Sequence, residues 1–228
     1  MVPSKQGANR TVQTLSFPIT KSVSPDLIKK GSLLFSGNVS FLKGVVNIQG
    51  LPEDNRIEIC FAGRSNAGKS SLINALTNQK SLARTSGTPG RTQEINFFNV
   101  EKTHYLVDLP GYGFASAPIK KVTKWQELVK SYLAKRVSLR RVFLLIDSRH
   151  GIKTTDREII RIMNSYAVTF QIVMTKRDKS KIENFSKTIA DIQTELNKHP
   201  SAFPEILVTS SVDKEGIDLL RATIAKIS

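Results

Sequence analysis

The sequence predicts an α/β protein, in which a mainly parallel, doubly wound β-sheet is covered by helices on both faces. From residue 56 onward, short apolar segments alternate with longer amphipathic segments, as in consecutive βαβ units. Apolar residues make up 39% of the 228 residues, which is sufficient for a buried core. At about 150 residues per domain, the length indicates one domain with a short appendage.

The N-terminal part of the chain has the weakest pattern. Residues 1–24 combine basic side chains with scattered Ser, Gly and Pro and predict a loose arm. Residues 33–48 alternate weakly between apolar and polar side chains and predict an early strand or turn. We therefore expect a flexible basic N-terminal arm at residues 1–30 and a single domain at residues 31–228.

The elements of the domain follow in a regular order. Apolar or alternating runs predict strands at 57–62, 93–100, 104–108, 142–146, 168–174 and 205–209. Amphipathic runs predict helices at 70–76, 121–136, 154–165, 181–198 and 214–227. The helix at 154–165 is supported by its Thr-Thr-Asp start, which suits an N-cap region, and by apolar residues that recur on one stripe.

The chain is strongly basic, with 34 Lys and Arg against 19 Asp and Glu, a net charge of +15 and an isoelectric point near 10.0. Clustered cations favour an acidic macromolecular partner such as a nucleic acid, although a solvated basic surface with no partner fits the composition equally well. The lone Cys60 excludes an internal disulfide, and no apolar run is long enough to cross a bilayer. We expect a cytoplasmic protein without stable membrane anchoring.

The clearest motif is a phosphate-binding loop of the form G-x-x-x-x-G-K-[ST] between a predicted strand and a predicted helix. Its residues are Gly63, Arg64, Ser65, Asn66, Ala67, Gly68, Lys69 and Ser70. Phosphates require small residues here because successive backbone N–H groups must point at the oxygens. Lys69 is expected to reach the β and γ phosphates, and the Ser70 hydroxyl to ligate Mg²⁺.

A second metal anchor is predicted at the end of the next strand, in Asp108, Leu109, Pro110 and Gly111. Asp108 would hold Mg²⁺ through a water, and the Gly111 N–H would contact the γ-phosphate. On its own, D-x-P-G is a common turn, and its place after an apolar strand is what gives it meaning.

Base recognition is predicted at the ends of two later strands, in Thr175, Lys176, Arg177 and Asp178 and in Thr209, Ser210 and Ser211. The Asp178 carboxylate can accept both N1–H and the exocyclic amine of guanine, a donor pair that adenine lacks. Lys176 can lie across the base, and the second loop can donate to guanine O6. The alternative for Asp178 is a helix-capping role, but ligands bind at the carboxyl ends of strands in open α/β sheets.

In this order the four motifs resemble a translation-factor-class GTPase. The longer segments GRSNAGKSSLINALTNQKSLARTSGTPGRTQEINFF, DLPGYGFA and TKRDK closely resemble the bacterial EngB family (YihA/YsxC-like), single-domain GTPases implicated in assembly of the large ribosomal subunit. The resemblance covers residues 30–228. It implies a three-layer P-loop GTPase fold with a six-stranded sheet and one antiparallel edge.

The resemblance also implies two switch segments. The first is residues 80–92, in which Thr92 closes onto Mg²⁺ and the γ-phosphate; the alternative is that Thr92 merely starts a strand. The second runs from Leu109 to Lys121. The residues that flank Thr92 along the nucleotide are Gly90, Arg91, Gln93 and Glu94.

Tyr112 occupies the position at which Ras-like enzymes carry a Gln that orients the attacking water. We therefore expect slow intrinsic hydrolysis, and the sequence does not identify a catalytic group. Asn66 resembles the asparagine that positions K⁺ in some related GTPases, where the cation offsets developing charge. A purely local hydrogen bond by Asn66 is an equal alternative.

The motifs predict a Mg²⁺-dependent GTPase. The resemblance, together with the basic charge balance, implies that it acts as a switch in large-subunit assembly, with a link to cell division and growth. The alternatives are an ATP-dependent small-molecule or nucleotide kinase, against which Asp178 argues, and a GTPase that binds a non-ribosomal nucleic acid. The expected partner of the monomeric protein is the large ribosomal subunit or its precursor, contacted through Lys120, Lys121, Lys124 and neighbouring basic residues. The alternative is a solvated helix surface.

Overall fold

The protein is built on one central β-sheet. Its structure, a computed structural model, describes residues 16–83, 94–113 and 119–227, and only the backbone of residues 119–125. The strands are β1 (Val39–Val45), β2 (Ile57–Gly63), β3 (Ile95–Val100), β4 (His104–Asp108), β5 (Leu139–Asp147), β6 (Phe170–Thr175) and β7 (Ala202–Val208). The helices are α1 (Pro25–Ser36), α2 (Lys69–Leu76), α3 (Ile119–Lys135), α4 (Thr154–Ser165), α5 (Ile182–Leu196) and α6 (Ile217–Ala225).

The strand order is β1-β3-β4-β2-β5-β6-β7. All neighbours are parallel except β3, which runs antiparallel to both β1 and β4. The predicted α/β class, with a mainly parallel sheet, is therefore confirmed. The sheet has seven strands rather than six, because the weakly patterned residues 33–48 contain β1. This strand pairs outside β3, so the antiparallel strand is second from the edge.

The sheet is buried on both faces, and β2 shows this most directly. Cys60 and Ala62 pack into one apolar core, which also contains the buried residues of α3, α4 and α5. Ile59 and Phe61 point to the other face, where the buried residues of α1, α2 and α6 form a second core. A strand that is covered on both faces needs no polar side, which explains the uninterrupted apolar run from Ile59 to Ala62.

The N-terminal segment is part of the domain from residue 16 onward. Phe17 is only 2% exposed, and the backbone groups of Ile206 in β7 bond to Pro18 O and Thr20 N, both at 2.9 Å. Helix α1 begins after Ser24, whose side chain accepts a hydrogen bond from Leu27 N. The predicted boundary after residue 30 falls within this helix, so the described part of the predicted arm is folded. Residues 1–15 of the arm lie outside the described residues.

Helix α3 is fixed to β2 by a buried carboxylate. Glu58 accepts hydrogen bonds from the Tyr132 hydroxyl at 2.8 Å and from Arg136 Nε at 2.6 Å. Arg141 donates to Gln171 at 2.9 Å and lies 3.7 Å from the centre of the Phe203 ring. Two cations of the basic stretch around α3 therefore hold the fold together.

Among the described residues, no helix is long and apolar enough to cross a membrane.

Lys130 and Lys135 of α3 are exposed, and the side chains of Lys120, Lys121 and Lys124 lie outside the described residues.

Helices α1 and α6 approach so closely that Gly31 is required between them. A Cβ added at Gly31 would lie 2.5 Å from the backbone nitrogen of Ala222, which cannot move aside as a side chain would. We expect Gly31→Ala to lower the free energy of unfolding by about 1–3 kcal/mol through overpacking, although Ala is the better helix former. Urea denaturation measures the change, with Ser32→Ala, at an exposed position of the same helix, as the control. Equal stability of the two variants would mean that α1 does not pack on α6.

Candidate nucleotide-binding site

The phosphate-binding loop lies between β2 and α2, as predicted. Gly68 takes a left-handed conformation with φ of 91° and forms the N-cap of α2, without a side chain to accept hydrogen bonds from the first turn. Asn66 is also left-handed, with φ of 63°. The N–H groups at the start of a helix have no partner within that helix. The turn therefore presents donors and a helix N-terminus to an anion, in the manner of a phosphate site.

Lys69 and Asp108 are brought together at the mouth of this loop. The Lys69 ammonium forms an ion pair with Asp108, and both side chains are 10% exposed. Parallel pairing of β2 and β4 sets Asp108 opposite Phe61, two residues before the phosphate loop begins. Two motifs that are 39 residues apart in sequence therefore form one charged site.

The donors at this place fit Mg²⁺, which prefers oxygen ligands and retains several waters. Ser70, in the first turn of α2, and Asp108 supply a hydroxyl and a carboxylate. In the described part of the chain, no group of three or more His, Cys, Asp or Glu could form a metal cage. Ser70 and Asp108 would thus share the ion with phosphate oxygens and water.

The predicted base-reading segments meet at the carboxyl ends of β6 and β7. The Ser210 hydroxyl donates to Asp178 Oδ1 at 2.8 Å, and Arg177 N donates to Thr209 O at 3.2 Å. Asp213 N in turn donates to the Ser210 hydroxyl at 3.1 Å. Asp178 is exposed while Ser210 is buried, so a fixed carboxylate faces solvent beside the phosphate loop.

Lys176 connects the base-reading segment to the phosphate loop. Its ammonium donates to the Asn66 carbonyl and lies 3.1 Å from Asp147 Oδ2. The neighbouring Thr175 hydroxyl donates to Ala67 O at 2.6 Å. Residues more than 100 positions apart in sequence therefore hold each other at one edge of the sheet.

Asp147, at the end of β5, is a functional candidate that the sequence analysis missed. Arg149 binds it through Nε at 2.9 Å, through Nη2 at 2.7 Å and through its backbone N–H at 3.0 Å. Burial alone would raise the pKa of Asp147, but the hydrogen bonds from Arg149 and Lys176 outweigh it and hold that pKa far below its usual range. The signal that could have identified Asp147 is its position at the carboxyl end of a strand, where ligands bind in open α/β sheets.

A buried carboxylate from α4 also reaches the site. Asp156, predicted only as part of a helix start, accepts hydrogen bonds from the Tyr112 hydroxyl at 2.8 Å and from Lys153 N at 2.8 Å. Arg64 Nε of the phosphate loop lies 3.2 Å from its second oxygen. Burial raises the pKa of Asp156, and these donors lower it only in part.

The predicted switch segments are described only in part. Of the first segment, residues 80–83 are described, and the N–H of Ala83 donates to the Asn74 side chain at 2.7 Å. Four predicted site residues lie outside the described residues: Gly90, Arg91, Thr92 and Gln93. Glu94 is exposed just before β3. In the second segment, Leu109 and Tyr112 are buried, and residues 114–118 lie outside the described residues.

Comparison with known proteins identifies close relatives. A curated protein of Roseobacter denitrificans, "Probable GTP-binding protein EngB", is 55% identical over 94% of this chain and 99% of its own. A protein of the same name from Rhodospirillum rubrum is 50% identical over 88% of this chain and 89% of its own. The family model described as 50S ribosome-binding GTPase matches residues 58–176, and the model of the elongation factor Tu GTP binding domain matches residues 137–228.

Solved structures agree on the fold. The crystal structure of a probable GTP-binding protein engB has a TM-score of 0.56 at 23% identity, covering 74% of this chain and 97% of that chain. The structure of Era in complex with MgGDPNP and nucleotides 1506–1542 of 16S ribosomal RNA has a TM-score of 0.58 at 23% identity, covering 76% of this chain and 57% of that one.

The ionised carboxylate of Asp147 is expected to stabilise the protein near neutral pH. Its pKa is depressed in the folded state, so this stabilisation is present above the unfolded value of about 3.9 and is lost as the pH falls. We expect Asp147→Asn to lower the free energy of unfolding at pH 7 by about 1–2 kcal/mol, since two cations lose a charged partner.

The difference in the free energy of unfolding between Asp147→Asn and the wild type should become smaller as the pH falls from about 5 to about 2. Urea denaturation at a series of pH values measures it, with Asp191→Asn on the exposed face of α5 as the control. A constant difference across this range would contradict the assignment.

Proposed function

Because the chain belongs to the EngB family of GTP-binding proteins, we propose that it is a Mg²⁺-dependent switch in the assembly of the large ribosomal subunit. As a member of this family of P-loop GTPases it binds GTP and hydrolyses it to GDP and phosphate. The curated relatives leave no support for the alternative of an ATP-dependent kinase. The Mg²⁺ requirement, the switch and the ribosomal role are the proposed parts.

The observation that carries the proposal is the convergence of phosphate-binding and base-reading groups at one sheet edge. Lys69 would leave Asp108 to bind the β and γ phosphates, and the Asp108 carboxylate would then be available for a metal-bound water. Ser70 would ligate the ion directly. The bound Mg²⁺ would offset the negative charge of the phosphates.

Guanine recognition would depend on Asp178, which the Ser210 hydroxyl holds through one of its oxygens. Lys176 is already extended towards the phosphate loop, so its alkyl stem can cover the base while its ammonium stays bound to Asn66 and Asp147. Base and phosphate recognition would therefore be linked by one side chain.

Slow intrinsic hydrolysis is part of the proposal. The Tyr112 hydroxyl donates to a buried carboxylate, and a group held in this way is not available to orient an attacking water. A K⁺ ion positioned by Asn66 would supply positive charge near the phosphates. The left-handed backbone at Asn66 places this residue at the turn of the loop, which is compatible with such a role.

A ribosomal partner is supported by charge and by the family description. Residues 120–141 contain eight Lys and Arg and a single acid, Glu127, although Arg136 and Arg141 serve the fold. The family model that matches residues 58–176 is described as a 50S ribosome-binding GTPase. We therefore propose that rRNA contacts the protein at α3. We also propose a cytoplasmic location and a link to cell growth and division.

The base assignment is tested by Asp178→Asn. The new amide places a donor against the two donors of guanine, so GTP affinity should fall about 10- to 100-fold, while xanthosine triphosphate should bind better than to the wild type. A competition assay with both nucleotides gives the ratio. Asp213→Asn is the matched control, because Asp213 also contacts the Ser210 hydroxyl, at 3.4 Å. An unchanged preference for GTP in the Asp178 variant would show that Asp178 does not read the base.

The partner surface is tested by reversing Lys120, Lys121 and Lys124 to Glu. Ribosomal-subunit binding should weaken, and its salt dependence should become shallower by about one unit of log–log slope for each phosphate that is no longer neutralised. The control reverses three exposed lysines at α5: Lys181, Lys187 and Lys198. Co-sedimentation at several salt concentrations measures both effects. If both variants bind equally well at every salt concentration, the docking surface lies elsewhere.

A further inference from the structure

The residue after Gly111 is bonded to the phosphate loop through its backbone. Ser65 N donates to Tyr112 O at 2.9 Å, and Tyr112 N donates to Gly63 O at 3.4 Å. Gly111 itself lies so close to the loop that an added Cβ would be 2.7 Å from Ser65 Oγ. The backbone of Gly111 and Tyr112 is therefore packed directly against the loop that would hold the phosphates.

The side chain of Tyr112 anchors this backbone to the apolar core and to α4. Tyr112 is 6% exposed and belongs to the apolar core that contains Ile159 and Ile160 of α4. Its hydroxyl donates to Asp156 Oδ1 at 2.8 Å. Gly113, the next residue, has φ of 83°, a left-handed conformation that glycine adopts without strain.

Asp156 joins three segments through one fully buried carboxylate. The segment after β4 contributes the Tyr112 hydroxyl, the start of α4 contributes Lys153 N, and the phosphate loop contributes Arg64. A buried carboxylate is costly unless donors surround it, so its three donors are held in defined positions. Both the phosphate loop and the segment after β4 are thus held by the same fixed carboxylate of α4.

We infer that Asp156 is a positioning residue for γ-phosphate recognition. By accepting the hydrogen bond of the Tyr112 hydroxyl, Asp156 holds the Gly111 N–H beside the phosphate loop before GTP binds. This inference rests on the proposed function. Ordering a loop on binding costs conformational entropy, and a donor that is already placed avoids that cost. The benefit applies to GTP, whose γ-phosphate meets the Gly111 N–H, and does not apply to GDP, which lacks that phosphate.

A purely structural role for the hydrogen bond makes a different prediction, because it would affect both nucleotides alike. Tyr132 provides a matched control for this comparison. Its hydroxyl also donates to a buried carboxylate at 2.8 Å, that of Glu58, but it connects α3 to the amino-terminal part of β2. Tyr132→Phe therefore removes an equivalent hydrogen bond away from the nucleotide.

The experiment measures dissociation constants of GDP and of a non-hydrolysable GTP analogue for the full-length variants with Mg²⁺. For Tyr112→Phe we expect the analogue to bind about five- to tenfold more weakly and GDP to change by less than about twofold. For Tyr132→Phe the ratio of the two constants should stay at the wild-type value.

Two substitutions of Asp156 extend the test. Asp156→Asn should keep the wild-type ratio, because its amide can donate to the Tyr112 oxygen while its carbonyl accepts from Lys153 and Arg64. Asp156→Ala should shift the ratio as Tyr112→Phe does, and the double variant should shift it no further.

An unchanged ratio in Tyr112→Phe, or an equal loss of both nucleotides, would overturn the inference while leaving the proposed function intact. Failure of the wild type to bind either nucleotide would instead overturn the proposed function.

Discussion

The pairing of β2 with β4 on one side and β5 on the other determines where the phosphate-binding part of the site lies. Parallel strands end at the same edge of a sheet, so the phosphate loop that follows β2, Asp108 at the end of β4 and Asp147 at the end of β5 are brought together. The apolar side chains of β2 alternate between two cores, and a shift of one residue would exchange them. The core packing therefore fixes the register, and the register fixes the site.

Charged contacts then connect the loops at this edge. Lys69 is paired with Asp108, Lys176 with Asp147 and the Asn66 carbonyl, and Arg64 with Asp156. Each pair joins residues of different strands, helices or loops, so the loops at this edge are held by neighbouring elements as well as by their own strands. Buried charges depend strongly on the presence of their partners, which makes the geometry of the edge well defined.

The sequence allowed the motifs and the central elements to be predicted because their signals are local. Helix α4 was predicted with both ends correct, since its acidic first turn and its apolar stripe lie within twelve residues, although the N-cap is Lys153 and Asp156 accepts from its N–H. Strand β1 gave a weak pattern because its register with β3 shifts between Phe41 and Lys43, which interrupts the alternation. Helix α1 was missed because the feature that fits it to α6, the absence of a side chain at Gly31, appears in the sequence as a helix-weakening residue.

Asp147 and Asp156 were not predicted as site residues because their partners, Lys176 and Tyr112, are distant in sequence and only the fold brings them close. The same holds for Arg136 and Arg141, which count as surface charge in the composition but are engaged within the domain.

The N-terminal segment has a consequence for how molecules of this protein meet one another. An edge strand normally presents a row of unpaired backbone groups, to which a strand of another molecule can add. At β7 the N–H and C=O of Ile206 are both bonded to the segment Pro18–Thr20 of the same chain. This short segment therefore covers part of the edge strand β7. By occupying these backbone groups, it hinders the addition of a strand from a neighbouring molecule.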